Sequence, residues 1–600
     1  MKTYVCILAH CLCVATTSLS QEPVPEHPKL FFNLQEANQI RTRALVPGST
    51  ENRFFMEIKE VADYFVTNRE KMFSDPDPNV YIPFRQWNLY SLAFTYFVTQ
   101  NPVYWQTTHD IIFGFSGNSG LMGFQFVARN TAIVAGLAQT VDLLWNQFTE
   151  NERNQILQKI QENLQNPAHP GEGVRDYFYN NYLLHDNNHM ASNGIGLLSA
   201  AIVFNGHPAY PEANSDIDAV RYRIVTYQNN LIVRMNHSDG APAEGVFYGS
   251  GQYGTEIPIL LVLGRWDGVN YMQREEFVSR YTKVGQYFCY EVLPATRDPL
   301  FRYFTAINDA FMGFYNSNGV LAGLHLQSSV YNDSYSKWVF NNTVQDIGNL
   351  VNAALWHAPT HNAFRGYGFV EALHFNNNTP PSDPSGILPK SKYFPVRGLV
   401  YIRTSDNWAD NGDIQFSLTA APAIDRSLDP PNGVLSVKHN QPDKNSITMS
   451  AYGQDFIIDV GYGGQRPEDQ NYILIDGRGQ SPAAVLGGMN EGRIVQYHSS
   501  NDFDFVHADA KSAFDTVYYH GENGTPVVVV DPTNSVVNAN RYVLSTRATP
   551  STNHFFVVAD DIRRDSEFHQ YKWIFNTNAS VSLSNPIVIQ SGGKYLKIWH

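Results

Sequence analysis

Positive charge is in short supply in this sequence: 42 Lys and Arg stand against 56 Asp and Glu, a formal net charge of −14. A nucleic-acid binder needs a basic field, so that class is excluded. Charged residues of both signs make up only 16 % of the chain and hydrophobic residues 43 %, the balance of a globular chain and not of a disordered one. Cysteine is nearly missing. Cys6, Cys11 and Cys13 crowd into the N-terminal stretch and only Cys289 follows, so the remainder of the chain can form no internal disulfide. Cys289 lies in Tyr-Phe-Cys-Tyr, which reads as a buried helix face and not as the electropositive setting of a thiol nucleophile. No later stretch reaches the roughly 18 apolar residues of a membrane span. The Gly-x-x-x-x-Gly-Lys-Ser/Thr phosphate loop, His-Glu-x-x-His and the Gly-x-Ser-x-Gly elbow are all absent as well.

What is present begins with a leader. Lys2, an apolar run from Tyr4 to Val14 and small residues up to Ser20 read as a signal peptide over 1–20, which implies a secreted protein with no membrane anchor. Asn236, Asn332, Asn341, Asn377, Asn523 and Asn578 each head an Asn-x-Ser/Thr sequon, compatible with a glycoprotein. Six hundred residues exceed one ordinary core, so two domains or more are expected. Helical periodicity dominates 21–375. Thr149-Glu-Asn-Glu152 matches a capping box, after which Ile156, Leu157, Ile160 and Leu164 form one apolar stripe. Asn130–Trp145, Asn188–Phe204 and Ile257–Leu263 read as further helices, together a bundle or toroid. Residues 376–392 carry four prolines and read as a linker. Over 393–600 the signal turns to short β-branched strands at Gly398–Arg403, Asn445–Ala451, Asp455–Val460, Pro526–Asp531 and His554–Asp560. Strands this closely spaced favour an antiparallel β-sandwich, with a cleft between it and the helices.

Thirty-four Tyr, 37 Phe and 9 Trp fit core packing, and they equally fit a cleft in which pyranose faces stack on rings. Four polar segments stand out. Asp186-Asn-Asn-His189 opens an apolar helix and serves either as a cap or as a site. Glu244-Gly-Val-Phe-Tyr248-Gly-Ser250 is either a turn with a packed tyrosine or a site. Val437-Lys-His439-Asn-Gln441 through Ser446 is a polar loop entering a strand, and Asp459-Val-Gly-Tyr462-Gly463 precedes Asp469-Gln470-Asn-Tyr-Ile-Leu-Ile-Asp-Gly-Arg-Gly479.

In this order, on a helix-then-strand layout, these segments resemble the heparinase II/III-like superfamily of polysaccharide lyases. Asn-Asn-His followed by Gly-Leu-Leu, and Glu-Gly-Val-x-Tyr-Gly-Ser, are most similar to dermatan-sulfate epimerase. The resemblance implies an α+β multidomain fold, an incomplete α/α toroid followed by an antiparallel β-sandwich. It implies that Asn188 and Glu244 bind substrate, that His189, Tyr248, His439 and Tyr462 are catalytic, and that the partner is an anionic polysaccharide. Relatives often hold a metal where this chain has Gln441, Asp459 and Gln470. Two amides are poor zinc ligands, so no cofactor is expected; hydrogen bonds among the three are expected instead, with the position still open to a hard cation.

The chemistry matches these residue types. Removing the C5 proton of a uronate loads charge onto its carboxylate, which an amide and an imidazole stabilise by hydrogen bonding. Histidine accepts a proton near neutral pH, and tyrosine can donate one to a departing oxygen. The expected activity is therefore β-elimination, with alginate ranked first and glycosaminoglycan or glucuronan next. Uronate C5 epimerisation is the alternative, because it shares the first half-reaction. A retired carbohydrate-binding site fits poorly with so complete a constellation, and no carboxylate pair supports a glycoside hydrolase.

Overall fold

A computed structural model of the chain describes residues 26–69, 86–114, 127–181, 188–227, 230–298, 301–305, 307, 323–324, 326–343, 379–408, 410, 412–420, 441–461, 466–480, 492–520, 526–530, 534–547 and 554–599. The expected signal 1–20, His439 and Tyr462 lie outside these residues, and so does the side chain of Tyr248.

The helical expectation holds in detail where the sequence was most explicit. Thr149 caps the Glu150–Gln165 helix with both halves of the capping box formed, and Ile156, Leu157, Ile160 and Leu164 are buried. The Asn188–Val203 helix is almost wholly interior, lying against Val127–Leu143 on one side and Gly245–Asp267 on another. Its apolar composition all round is what such a central position demands. Close approach is fixed at Gly196, where a Cβ would stand 3.1 Å from the Thr131 methyl group. One turn earlier the Thr131 hydroxyl donates to the buried Asn193 side chain, locking the two helices together.

One hairpin interrupts the helical half: β1 (Val292–Asp298) pairs antiparallel with β2 (Phe301–Phe304). Beyond it, β3 (Ser391–Phe394), β4 (Leu399–Arg403), β5 (Ile414–Thr419), β6 (Ser446–Ala451) and β7 (Gln454–Ile457) form one antiparallel sheet in sequence order. After the short β8 (Ile473–Ile475) come β9 (Arg493–Ser499), β10 (Phe503–Asp509), β11 (Thr516–His520), β12 (Pro526–Val530), β13 (Asn538–Thr546) and β14 (Phe556–Arg563). Of these, β14, β13, β10 and β9 make a second antiparallel sheet. It packs face to face on the first through Val400, Ile402, Phe416 and Leu418 against Val506, Ala508 and Val543, with Phe416 stacked on Phe556 at 4.6 Å. Three more strands, β16 (Ser580–Ser582), β17 (Ile587–Ser591) and β18 (Lys594–Ile598), follow β15 (Tyr571–Trp573) and form a small sheet of their own.

Strand β4 belongs to two cores. All five of its residues are buried. Val400 and Ile402 face the second sheet, whereas Leu399 and Tyr401 join the core of the helical half, as the two-residue period of a strand requires. Each fully buried Val, Leu or Ile contributes roughly 1.5–3 kcal/mol, so the strand is anchored from both sides. At the end of β4 the buried Arg403 donates to Asp413 at 2.8 Å and lies over Trp408 at 4.6 Å. Its Nη1 also donates to the carbonyls of Val292 at 3.1 Å and Cys289 at 3.4 Å, closing the C-terminus of the Val284–Glu291 helix. Cys289 is buried on that helix, as its aromatic neighbours suggested.

The proline-rich segment is no loose tether over its described part. Leu388 is buried, the Tyr290 hydroxyl donates to the Pro389 carbonyl at 2.6 Å, and Ser391 and Lys392 already belong to β3. Thr379 donates to the Ser328 carbonyl at 3.1 Å and the Ser382 N–H to the Ser334 carbonyl at 3.0 Å, so the segment lies against the helical half. Among the described residues no helix is long and apolar enough to cross a membrane.

Because Arg403 joins β4, Asp413 and a helix end, Arg403→Met should strand the Asp413 carboxylate in the interior. A loss of about 3–5 kcal/mol in denaturant unfolding is expected. A loss below about 1 kcal/mol would show that the pair is incidental.

Candidate functional site

Asn188 and His189 occupy the first positions of the Asn188–Val203 helix, half-buried, where backbone N–H groups have no partner within the helix. Glu244 supplies one. Its carboxylate accepts the Asn188 N–H at 3.0 Å from a position 1 % exposed, immediately before the Gly245–Asp267 helix. Tyr248 follows in that same helix, one turn on from Glu244. The two motifs singled out in the sequence are thus brought together by a hydrogen bond between them. The carboxylate of Glu244, expected to bind substrate, fixes the helix start that presents Asn188 and His189.

The His189 carbonyl accepts from the Asn193 amide at 2.8 Å, and the ring lies 6.4 Å from that of Tyr177. The Asn188 side-chain oxygen is shielded from solvent and accepts no hydrogen bond among the described residues.

Below this pair lies a second buried carboxyl that the sequence reading passed over. Glu256 is wholly interior and accepts from the Tyr281 hydroxyl at 2.6 Å and the Asn236 amide at 2.7 Å. Burial, opposed by these two hydrogen bonds and reinforced by the charge of Glu244, pushes its carboxyl up to about 7. A lone acid in the apolar stretch Gly-Thr-Glu256-Ile-Pro-Ile, with no basic residue one turn away, was the available signal. The same contact corrects the sequon at Asn236. That side chain is 1 % exposed and committed to Glu256 and the Ile232 carbonyl, so it offers no surface for a glycan. Asn332, Asn341 and Asn578 are exposed, and Asn377 and Asn523 lie outside the described residues.

Arg397 is a further omission. It is buried just before β4, its backbone N–H and that of Val396 held by Asp239 at 3.0 and 2.9 Å. Its Nε and Nη2 make no hydrogen bond among the described residues. Only its neighbours in the fold reveal it, for a single Arg at a strand entrance carries no motif.

On the sheet side, Gln441, Asp459 and Gln470 are all buried and converge. Gln470 donates to the Gln441 side-chain oxygen at 2.9 Å, Gln441 donates to the Gly461 carbonyl at 2.7 Å, and the Gly461 N–H donates to Asp459 at 2.8 Å. The two amides are joined directly, and the carboxylate is reached through Gly461. Among the described residues no group of three or more His, Cys, Asp or Glu is placed to hold a metal. Lys444, buried next to Asp443, donates to the Gln441 carbonyl at 3.2 Å, and burial lowers its ammonium.

No family model matches the chain, and no curated protein matches it. Among solved structures it is similar to heparinase III, at 13 % identity over 85 % of this chain and 81 % of that one, with a TM-score of 0.46. It is similar also to the heparan sulfate lyase HepC of Pedobacter heparinus, at 12 % identity over 94 % and 93 %, with a TM-score of 0.43. A third is the chondroitin AC lyase of Streptomyces coelicolor A3, at 10 % identity over 91 % and 83 %, with a TM-score of 0.44. The second and third are lyases by name.

The buried Glu256 carboxyl makes stability depend on pH in a set direction. Folding raises the Glu256 carboxyl from about 4.5 to about 7, so the folded state holds a proton that the unfolded state has lost. This contribution is full below the unfolded value and is lost as pH rises through the window between the two. Glu256→Gln should therefore gain melting temperature relative to wild type between pH 5 and pH 8. A difference independent of pH would remove Glu256 from this account.

Proposed function

We propose that the chain is a secreted polysaccharide lyase that cleaves a uronic-acid-containing polymer by β-elimination, within an incomplete α/α toroid joined to a β-sandwich. The observation that carries the reading is the Asn188–His189 pair, presented at a helix start by the buried Glu244 carboxylate and joined through it to the helix that bears Tyr248. The motif resemblance supplies the roles.

In this reading the Asn188 amide donates to the uronate carboxylate and stabilises the charge that moves there when the C5 proton leaves. His189 or His439 accepts that proton, or neutralises the carboxylate while Tyr248 or Tyr462 accepts it, according to the C5 configuration. Tyr248 protonates the departing C4 oxygen, and the product carries a C4–C5 double bond. His439 and Tyr462 enter on the resemblance alone. A net charge of −14 is no obstacle, because charges beyond about 8–10 Å are largely screened. Alginate is the first polymer to test, then glycosaminoglycan and glucuronan.

Purified protein incubated with each polymer should generate the ultraviolet absorbance of the new double bond with at least one of them. Tyr248→Phe should then lower the rate by about 10²–10⁴-fold while the melting temperature stays close to that of wild type. A variant within twofold of wild type would take Tyr248 out of the mechanism.

A further inference from the structure

The small C-terminal sheet carries a surface that the cleft does not use. Register pairs Ser580 with Gln590 and Gln590 with Tyr595, and Ser582 with Val588 and Val588 with Lys597. Leu596 and Ile598 face inward onto the sandwich core. Alternation therefore turns Tyr595, Lys597 and, one residue past the strand, Trp599 outward in a single row. Their exposure is unusual for such rings: Tyr595 is 59 % and Trp599 70 % accessible. Isolated exposed apolar residues are ordinary, but two large rings in one row on one face of a sheet mark a binding surface. At about 3.3 Å per residue they stand about 13 Å apart, farther than one pyranose ring spans, with an ammonium between them.

Charge selects the occupant. From Phe568 to the last residue there is no Asp or Glu, whereas Lys572, Lys594 and Lys597 are present, in a chain whose net charge is −14. A stretch stripped of acid on so acidic a protein is complementary to a polyanion. The patch extends toward the first sheet: the Ser591 hydroxyl donates to Gln454 of β7 at 2.7 Å, and the Lys594 ammonium lies 5.6 Å from the ring of Tyr452, itself exposed. Strand β7 leads from there to Asp459 and on to Tyr462 in sequence.

We infer that Tyr595, Lys597 and Trp599 form an accessory site for an anionic polysaccharide chain, two rings stacking on separate sugars while the lysine meets a carboxylate or sulfate between them. The site tethers the polymer on the β-half while the cleft cuts it, and to that extent it rests on the lyase reading.

The full-length protein run on native gels cast with alginate, chondroitin sulfate or neutral dextran tests this directly. The two anionic polymers should retard the wild type and dextran should not. Tyr595→Ala/Trp599→Ala should weaken that retardation at least tenfold and Lys597→Gln severalfold, with circular dichroism and turnover of tetrasaccharides unchanged. Equal retardation of wild type and double variant would overturn the inference, as would equal retardation by dextran. So would a double variant that merely halves the sedimenting mass, since the face would then join two copies of the chain. Retardation that appears only after enzymatic removal of a glycan from Asn578 would also overturn it. Retardation that depends on these residues in a protein giving no double-bond absorbance on any substrate would sink the lyase reading and leave this inference standing.

Discussion

A strand that must satisfy two cores at once sets the terms for the rest of this molecule. Val400 and Ile402 pack toward the second sheet and Leu399 and Tyr401 toward the helices, so β4 cannot slip by one residue without exchanging both sets. Arg403 completes the wall by tying Asp413, Trp408 and the end of the Val284–Glu291 helix into one cluster. Around it Tyr290 stacks on Tyr401 at 6.2 Å and lies edge-on to Phe394 and Trp408. Helices and sheets are thereby held as neighbours by a continuous interior.

The candidate site uses that rigidity at a cost. Glu244 and Glu256 are both buried on the structure that presents Asn188, His189 and Tyr248, and each carries a burden of desolvation that a purely structural core would avoid. Glu244 offsets it by capping a helix, and Glu256 by accepting two strong hydrogen bonds. Buried acids grouped under a half-buried amide and imidazole fit a site whose geometry must not relax when charge moves across it.

Much of the architecture was legible because it depends on local rules. The capping box at Thr149 and the stripe after it follow from helix geometry alone, and strands at Leu399–Arg403, Ser446–Ala451 and Phe556–Arg563 follow from short β-branched runs bounded by turn residues. The β1–β2 hairpin within the helical half was not legible, since Val-Leu-Pro-Ala-Thr-Arg-Asp has no alternating pattern. The packing of the proline-rich linker at Leu388 and Pro389 was not legible, because proline marks a turn whether the chain is loose or packed. At the site, the segments that bear Asn188, His189 and Glu244 stood out in the sequence, whereas the hydrogen bond from the Asn188 N–H to Glu244 did not, because its partners are 56 residues apart. Arg397 and Arg403 were invisible for the same reason: the partners that define them are distant in sequence. The Gln441–Gln470 hydrogen bond was anticipated from the loss of ligand types, since two amides brought together find each other readily.

The central claim is that the proton leaving C5 is followed by loss of the C4 substituent. Incubating the protein with a uronate polymer in heavy water, and reading chain length and C5 deuterium in the same sample, addresses it without presupposing which residue is the base. β-Elimination predicts shortening chains, one unsaturated end for each new reducing end, and little deuterium at C5 of uncleaved polymer. Constant chain length with extensive C5 labelling would contradict it.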